Sequence, residues 1–125
     1  MSQAGDLYLG IDVGTSGTKA LLVTGDGRPV ERATVEYPLH QPRPGWAEQE
    51  AEDWWRATVR ATQAVLAKAG VSGERVAAVG LSGQMHGSVF LDENGQVVRP
   101  PILWCDVRTA SQCRTITQRA GGRER

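Results

Sequence analysis

Residues 7–27, LYLGIDVGTSGTKALLVTGDG, decide how the rest of the chain is read. Leu7, Leu9 and Ile11 fall on one face, and Tyr8, Gly10 and Asp12 on the other, the period-two alternation of a strand. The run TKALLVT that follows the glycines is again β-branched and apolar, so the unit reads strand, tight Gly-rich turn, strand. An acidic residue, Asp12, closes the first strand, directly before Gly14, Thr15, Ser16 and Gly17.

Two familiar nucleotide motifs are excluded by this order. A P-loop needs G-x-x-x-x-G-K-[ST] running into a helix, and a dinucleotide fingerprint needs G-x-G-x-x-G opening one. Backbone N–H groups of a Gly-rich turn can still make an anion-binding concavity without a helix. Asp12 beside it suits Mg²⁺, which prefers oxygen ligands and keeps much of its water. The competing reading is a hairpin whose glycines serve only to permit positive φ.

With 125 residues the chain accommodates one domain with a real core. Lys+Arg and Asp+Glu are 14 each, so the net charge of zero points to neither nucleic acid nor an anionic membrane surface. The longest apolar runs, VAAVGL and ALLV, are far too short to span a bilayer. The opening MSQAGD has neither the basic nor the apolar region of a signal peptide, so a cytoplasmic protein is expected. Cys105 and Cys113 stand in no metal-ligand spacing; reduced thiols are expected, a disulfide between them being the other reading.

Along the chain, strands are expected over residues 7–12, 18–24 and 29–38, joined by short turns as an antiparallel meander. The irregular LHQPRPGWAEQE follows, with an exposed Trp46. A helix over residues 51–69 carries Trp55, Val59, Thr62, Leu66 and Ala69 as its apolar stripe, which Trp54 widens against the sheet. Acidic residues at its start, Lys68 near its end and Gly70 just beyond fit the helix dipole and a C-cap. VAAVGLSG, residues 76–83, is a continuous apolar run, the pattern of a strand buried on both faces. GSVFLDENGQVV reads as a hairpin with a type I′ turn at Asn94-Gly95. Residues 99–106 are extended, and VRTASQCRTITQRA is a helix with few apolar anchors. A meander followed by a helix and a parallel strand predicts an α/β fold: a mixed five-stranded sheet with helices on its faces, the RNase H-like arrangement of actin, Hsp70 and sugar kinases.

The second informative cluster is GLSGQMHGS, at the C-terminal end of the apolar strand, where α/β sheets bind ligands. Gln84 and His86 offer hydrogen bonds and Met85 a compliant apolar contact, a mixture suited to a polyhydroxylated ligand. In ILWCDVRT, Trp104 can wall a sugar face while Asp106 and Arg108 bond hydroxyls. The alternative there is a core tryptophan beside a structural Asp–Arg pair.

GIDVGTSGTKA (10–20), GWAEQEAEDWW (45–55), GLSGQMHG (80–87) and PPILWCDVRT (100–109) together resemble the FGGY family of carbohydrate kinases, in the family's order over nearly the whole chain. Gly-Gln-Met-His-Gly is the most specific of these strings and resembles the members that act on D-xylulose. The resemblance implies ATP-dependent phosphorylation of a ketopentose, D-xylulose to D-xylulose 5-phosphate, with sugar, ATP and Mg²⁺ as the small-molecule partners. It implies Asp12 near Mg²⁺ and the transferring phosphate, and Gly14, Thr15, Ser16 and Gly17 facing the β- and γ-phosphates. Gln84, Met85 and His86 fall on the sugar side, with Trp104, Asp106 and Arg108 in the sugar cleft. It also places the general base and the adenosine site beyond the equivalent of Arg125. Residues 1–125 would then be a partial N-terminal domain, inactive alone, of a kinase that as a full-length protein is compatible with a homodimer. The competing classes are a non-catalytic sugar-binding remnant, another sugar kinase of the family (ribulose, glycerol), and a chaperone-like ATPase or regulator. A chaperone has no chemical use for Gln84-Met85-His86, and no helix-turn-helix is visible.

Overall fold

The computed structural model describes residues 7–122. Residues 1–6, read above as carrying no leader, and residues 123–125 lie outside them. Strands β1 (Leu7–Val13), β2 (Gly17–Thr24) and β3 (Pro29–Glu36) form the meander. Helix α1 (Ala51–Ala69), a single 3-10 turn, β4 (Val76–Gly83) and helix α2 (Ala110–Arg119) follow. The sheet runs β3-β2-β1-β4, antiparallel except for β1 against β4, which are parallel.

The period-two pattern sets the layers. Leu7, Leu9 and Ile11 of β1, Ala20 and Leu22 of β2 and Ala33 of β3 are buried against Ala61 and Val65 of α1. The opposite face, with Tyr8, Asp12, Lys19 and Leu21, is exposed. Gly70 ends α1 in the left-handed conformation, φ 64°, and its N–H reaches the carbonyl of Ala67.

Several expectations are corrected. The described sheet has four strands, not five. β4 is exposed rather than buried on both faces, because it is a sheet edge and α1 lies over β2 and β3. The fully buried residues of α1 are Ala57, Ala61 and Val65; Leu66 and Ala69 of the expected stripe pack against the core, whereas Trp55 is 64% exposed. Small residues let the helix approach the sheet closely, and the indole of Trp55 is too large for that seam. Residues 88–98 form no strand pair, only a bridge between Leu91 and Val97. Their turn is not type I′, since Gly95 alone is left-handed (φ 76°). Asp92 closes it, its Oδ1 accepting from the N–H groups of Asn94 (2.8 Å) and Gln96 (2.9 Å). α2 has no buried residue. Among the described residues, no helix is long and apolar enough to cross a membrane.

Candidate functional site

Asp12 stands at the C-terminal end of β1 on the open face. Register places it opposite Lys19 on β2 and Ser82 on β4, and Lys19 opposite Thr34 on β3. A polar row thus crosses all four strands beside the Gly14–Gly17 turn. Lys19 and Asp12 line one small cavity of ≈ 170 Å³ with that turn. Lys19 was not singled out from the sequence, although the tight turn and the two-residue period already put it on the face of Asp12.

The glycines of the turn are there for space rather than for positive φ. Neither Gly14 nor Gly17 is left-handed. A Cβ on Gly17 would sit 2.7 Å from the carbonyl oxygen of Val35, and one on Gly14 would sit 3.3 Å from that of Gly17. All four turn carbonyls are held from within the protein. Gly14 O accepts from Tyr37 Oη, Thr15 O from Gln49 Nε2 (2.6 Å), Ser16 O from Tyr37 N (3.4 Å) and Gly17 O from Gly14 N (3.1 Å). With the carbonyls turned inward, the amide N–H groups of Thr15 and Ser16 donate to no group among the described residues. Such free amides beside an open cavity are what an anion needs. Burial raises the Tyr37 phenol above its ordinary pKa, so it stays a donor to Gly14.

The 84–86 loop joins the turn from the other side. Gln84 N donates to Val13 O (2.9 Å), and His86 is the one non-glycine residue among the described residues with positive φ, 68°. That conformation is costly for a residue with a Cβ, and such strain gathers at functional sites. The segments around GWAEQ and PPILW zip together through the bridges His40–Glu48 and Glu48–Ile102 and the bond from Leu103 N to Ala47 O (3.0 Å). This seats Trp104 against the turn, where its Nε1 donates to Thr15 Oγ1 (3.2 Å). Asp12, Gly14, Thr15, Gln84, Met85, His86 and Trp104 consequently line one groove of ≈ 420 Å³. His86 and Trp104 also line a neighbouring cavity of ≈ 350 Å³, with Phe90, Arg99 and Asp106.

Asp106 and Arg108 bond to each other, as in the alternative of a structural pair. Asp106 accepts from Ala47 N (2.6 Å), Arg108 N (2.8 Å) and the Arg108 guanidinium (2.6 Å to Nη2), and its side chain is 1% exposed. Arg108 spans to Glu48 (2.7 Å) and lies over the Trp46 ring, 3.6 Å from its centroid. Arg108 lines neither cavity. The guanidinium holds Asp106 well below the usual carboxylate range, lowers Glu48 too, and is itself raised, chiefly by Asp106. These groups are spent on one another, bracing residues 45–48 against 104–108. Trp46, expected to be exposed, is half-buried beneath Arg108 for the same reason. The two cysteines are free and exposed.

A Gly-rich hairpin turn and a polar loop at the ends of two adjacent parallel strands share one groove on a sheet of the RNase H-like kind that sugar kinases use. The family model for the N-terminal domain of the FGGY family of carbohydrate kinases matches residues 7–124, and the chain belongs to this family. It is 42% identical over 113 residues to the xylulose kinase of Escherichia coli, covering 90% of this chain and 23% of that protein. A glycerol kinase of Methylobacterium nodulans is 40% identical over 113 residues, covering 90% of this chain and 22% of that one. The crystal structure of a "xyloylose kinase" from Brucella ovis superposes with a TM-score of 0.86 at 39% identity, over 91% of this chain and 24% of the other. The chain thus spans about a quarter of the length of the relatives it matches.

Proposed function

We propose that this chain forms the sugar-binding and phosphate-facing side of an ATP-dependent kinase that converts D-xylulose to D-xylulose 5-phosphate. The observation that carries the reading is the single groove shared by Asp12, by Gly14 and Thr15 of the turn, and by the Gln84–His86 loop. Phosphoryl transfer needs in-line positioning and charge neutralisation more than covalent help. The free amides of Thr15 and Ser16 bind oxygens of the transferring phosphate. His86 and Gln84 bond sugar hydroxyls, while Met85 and Trp104 cover its C–H face. Asp106 and Arg108 act behind them, holding the Trp104 segment in place.

Among the described residues no three His, Cys, Asp or Glu side chains gather as a metal cage. A lone exposed carboxylate at Asp12 fits Mg²⁺, which uses one or two carboxylates together with substrate phosphates and waters. When bound, Mg²⁺ neutralises charge on the phosphates. Asp12 would hold it through that carboxylate. The proton of the attacking hydroxyl leaves to a base that the family resemblance puts beyond the equivalent of Arg125.

Relatives named glycerol kinase at 40% identity support a second reading, the same chemistry on a different polyol. Calorimetric titration with D-xylulose, D-ribulose, glycerol and gluconate separates the two. Tightest binding of D-xylulose is expected, and preference for glycerol would overturn the assignment of the sugar. Asp12→Asn is expected to leave sugar affinity nearly intact and to lower turnover strongly in the assembled kinase. Unchanged turnover would end the phosphate-side role of Asp12.

A further inference from the structure

Gln49 has no solvent exposure, and every hydrogen-bonding position of its carboxamide is used. Nε2 donates to Thr15 O (2.6 Å) and Pro38 O (3.3 Å). Oε1 accepts from Trp54 Nε1 (3.0 Å) on α1 and from Gln84 Nε2 (3.0 Å) in the 84–86 loop. One side chain therefore ties together the turn, the strand exit after β3, the helix and the sugar-side loop. Only a neutral amide offers two donors and two acceptors in one plane; a carboxylate of the same shape would face two carbonyl oxygens with lone pairs.

We propose that Gln49 is a positioning residue that fixes the Gly14–Gly17 turn relative to the Gln84–His86 loop, so that the phosphate and sugar subsites are held as one rigid unit. The path is physical: removing the Nε2 donor frees Thr15 O, the Thr15 peptide rotates, and its Oγ1, to which Trp104 donates, moves with it. Gln49 does not face the groove, so its effect on a ligand is entirely through these neighbours.

The test uses the indole N–H signals of Trp46, Trp54, Trp55 and Trp104 in ¹⁵N-labelled protein, which need no substrate. In Gln49→Met, Trp54 loses its acceptor and its signal moves whatever the role of Gln49. Trp104 makes no bond to Gln49, and its signal is expected to move as well, while that of exposed Trp55 stays. A Trp104 signal unchanged in the folded variant would overturn the proposal. Gln49→Glu keeps the shape and guards against a variant that does not fold. Protonation returns one donor to Glu at this position, so its Trp104 signal is expected to move toward the unsubstituted position as pH falls. A Trp104 signal that follows pH just as in the unsubstituted protein would also overturn it.

A kinetic arm rests on the kinase reading above. In the assembled enzyme Gln49→Met is expected to lower kcat with little change in either KM, toward the about 10²-fold that an ångström-scale misplacement can cost. A rise in sugar KM with kcat intact would overturn the positioning role. Absence of kinase activity in the unsubstituted protein would count against the function alone and leave the indole result standing.

Discussion

Asp106→Ala separates a brace from a sugar ligand. The substitution removes the acceptor for Ala47 N–H and for Arg108 N–H, and it takes away the closest counter-charge of a guanidinium whose side chain is 11% exposed. A buried donor left unpaired costs about 1–3 kcal/mol. Breaking a buried ion pair on one side costs about 3–5 kcal/mol in total, because the surviving charge is stranded. Glu48 and the Trp46 ring remain to receive Arg108, which places the expected loss at the low end, about 3 kcal/mol. With a urea m-value of about 1–3 kcal/mol/M, the unfolding midpoint falls by about 1–3 M at unchanged m. Urea unfolding followed by tryptophan fluorescence reads this directly. The double variant Asp106→Ala/Arg108→Ala is expected to lose less than the sum of the two single losses, since no charge is then stranded. An unchanged midpoint together with weakened sugar binding would refute the reasoning and return Asp106 to the cleft.

The same bracket sets an acid limit. Asp106 and Glu48 have folded-state pKa values below their ordinary 3.8 and 4.5, so their contribution is complete above those values and drains away as pH falls through the lowered ones. Stability is expected to be level down to about pH 5 and to drop beneath it, with a shallower drop in Asp106→Asn, as a pH series of urea midpoints would read. Gly17→Ala drives a Cβ to 2.7 Å from a backbone oxygen that cannot step aside, so β2 and β3 must part locally. A loss of about 1–3 kcal/mol is expected from calorimetric melting, and a neutral result would mean that the strands yield freely. His86→Gly relieves a left-handed residue and is expected to raise stability by about 1 kcal/mol while weakening sugar binding in titration. A fall in stability would show that the imidazole supports the loop.

Local chemistry is what the sequence carried most clearly. The meander, the bounds of α1 and the Gly70 cap followed from alternation, helical spacing and a terminal glycine, all of which act within a few residues of themselves. Gly14, Gly17, Gln84 and His86 were legible as site candidates because short-range strand and turn patterns place them at strand ends. Residues whose role depends on a partner far along the chain were not legible in this way. Nothing near Gln49 in GWAEQ announces that it will meet Thr15, 34 residues away, or Gln84, 35 residues away. Asp106 and Arg108 could be read equally as ligands or as a brace, and their bonds to Ala47 and Glu48, 59 and 60 residues away, are what supports the brace.

The sequence by itself determined the antiparallel meander, the Gly-rich turn after an acidic strand end, and the family those motifs resemble, since each rests on short-range sterics and spacing. Only the tertiary structure decided that β4 is an edge of the described sheet, that Trp46 lies beneath a guanidinium, and that the turn's carbonyls are held from within while the Thr15 and Ser16 amides meet no acceptor among the described residues. Burial and hydrogen-bond satisfaction are properties of segments brought together, and no single segment carries them.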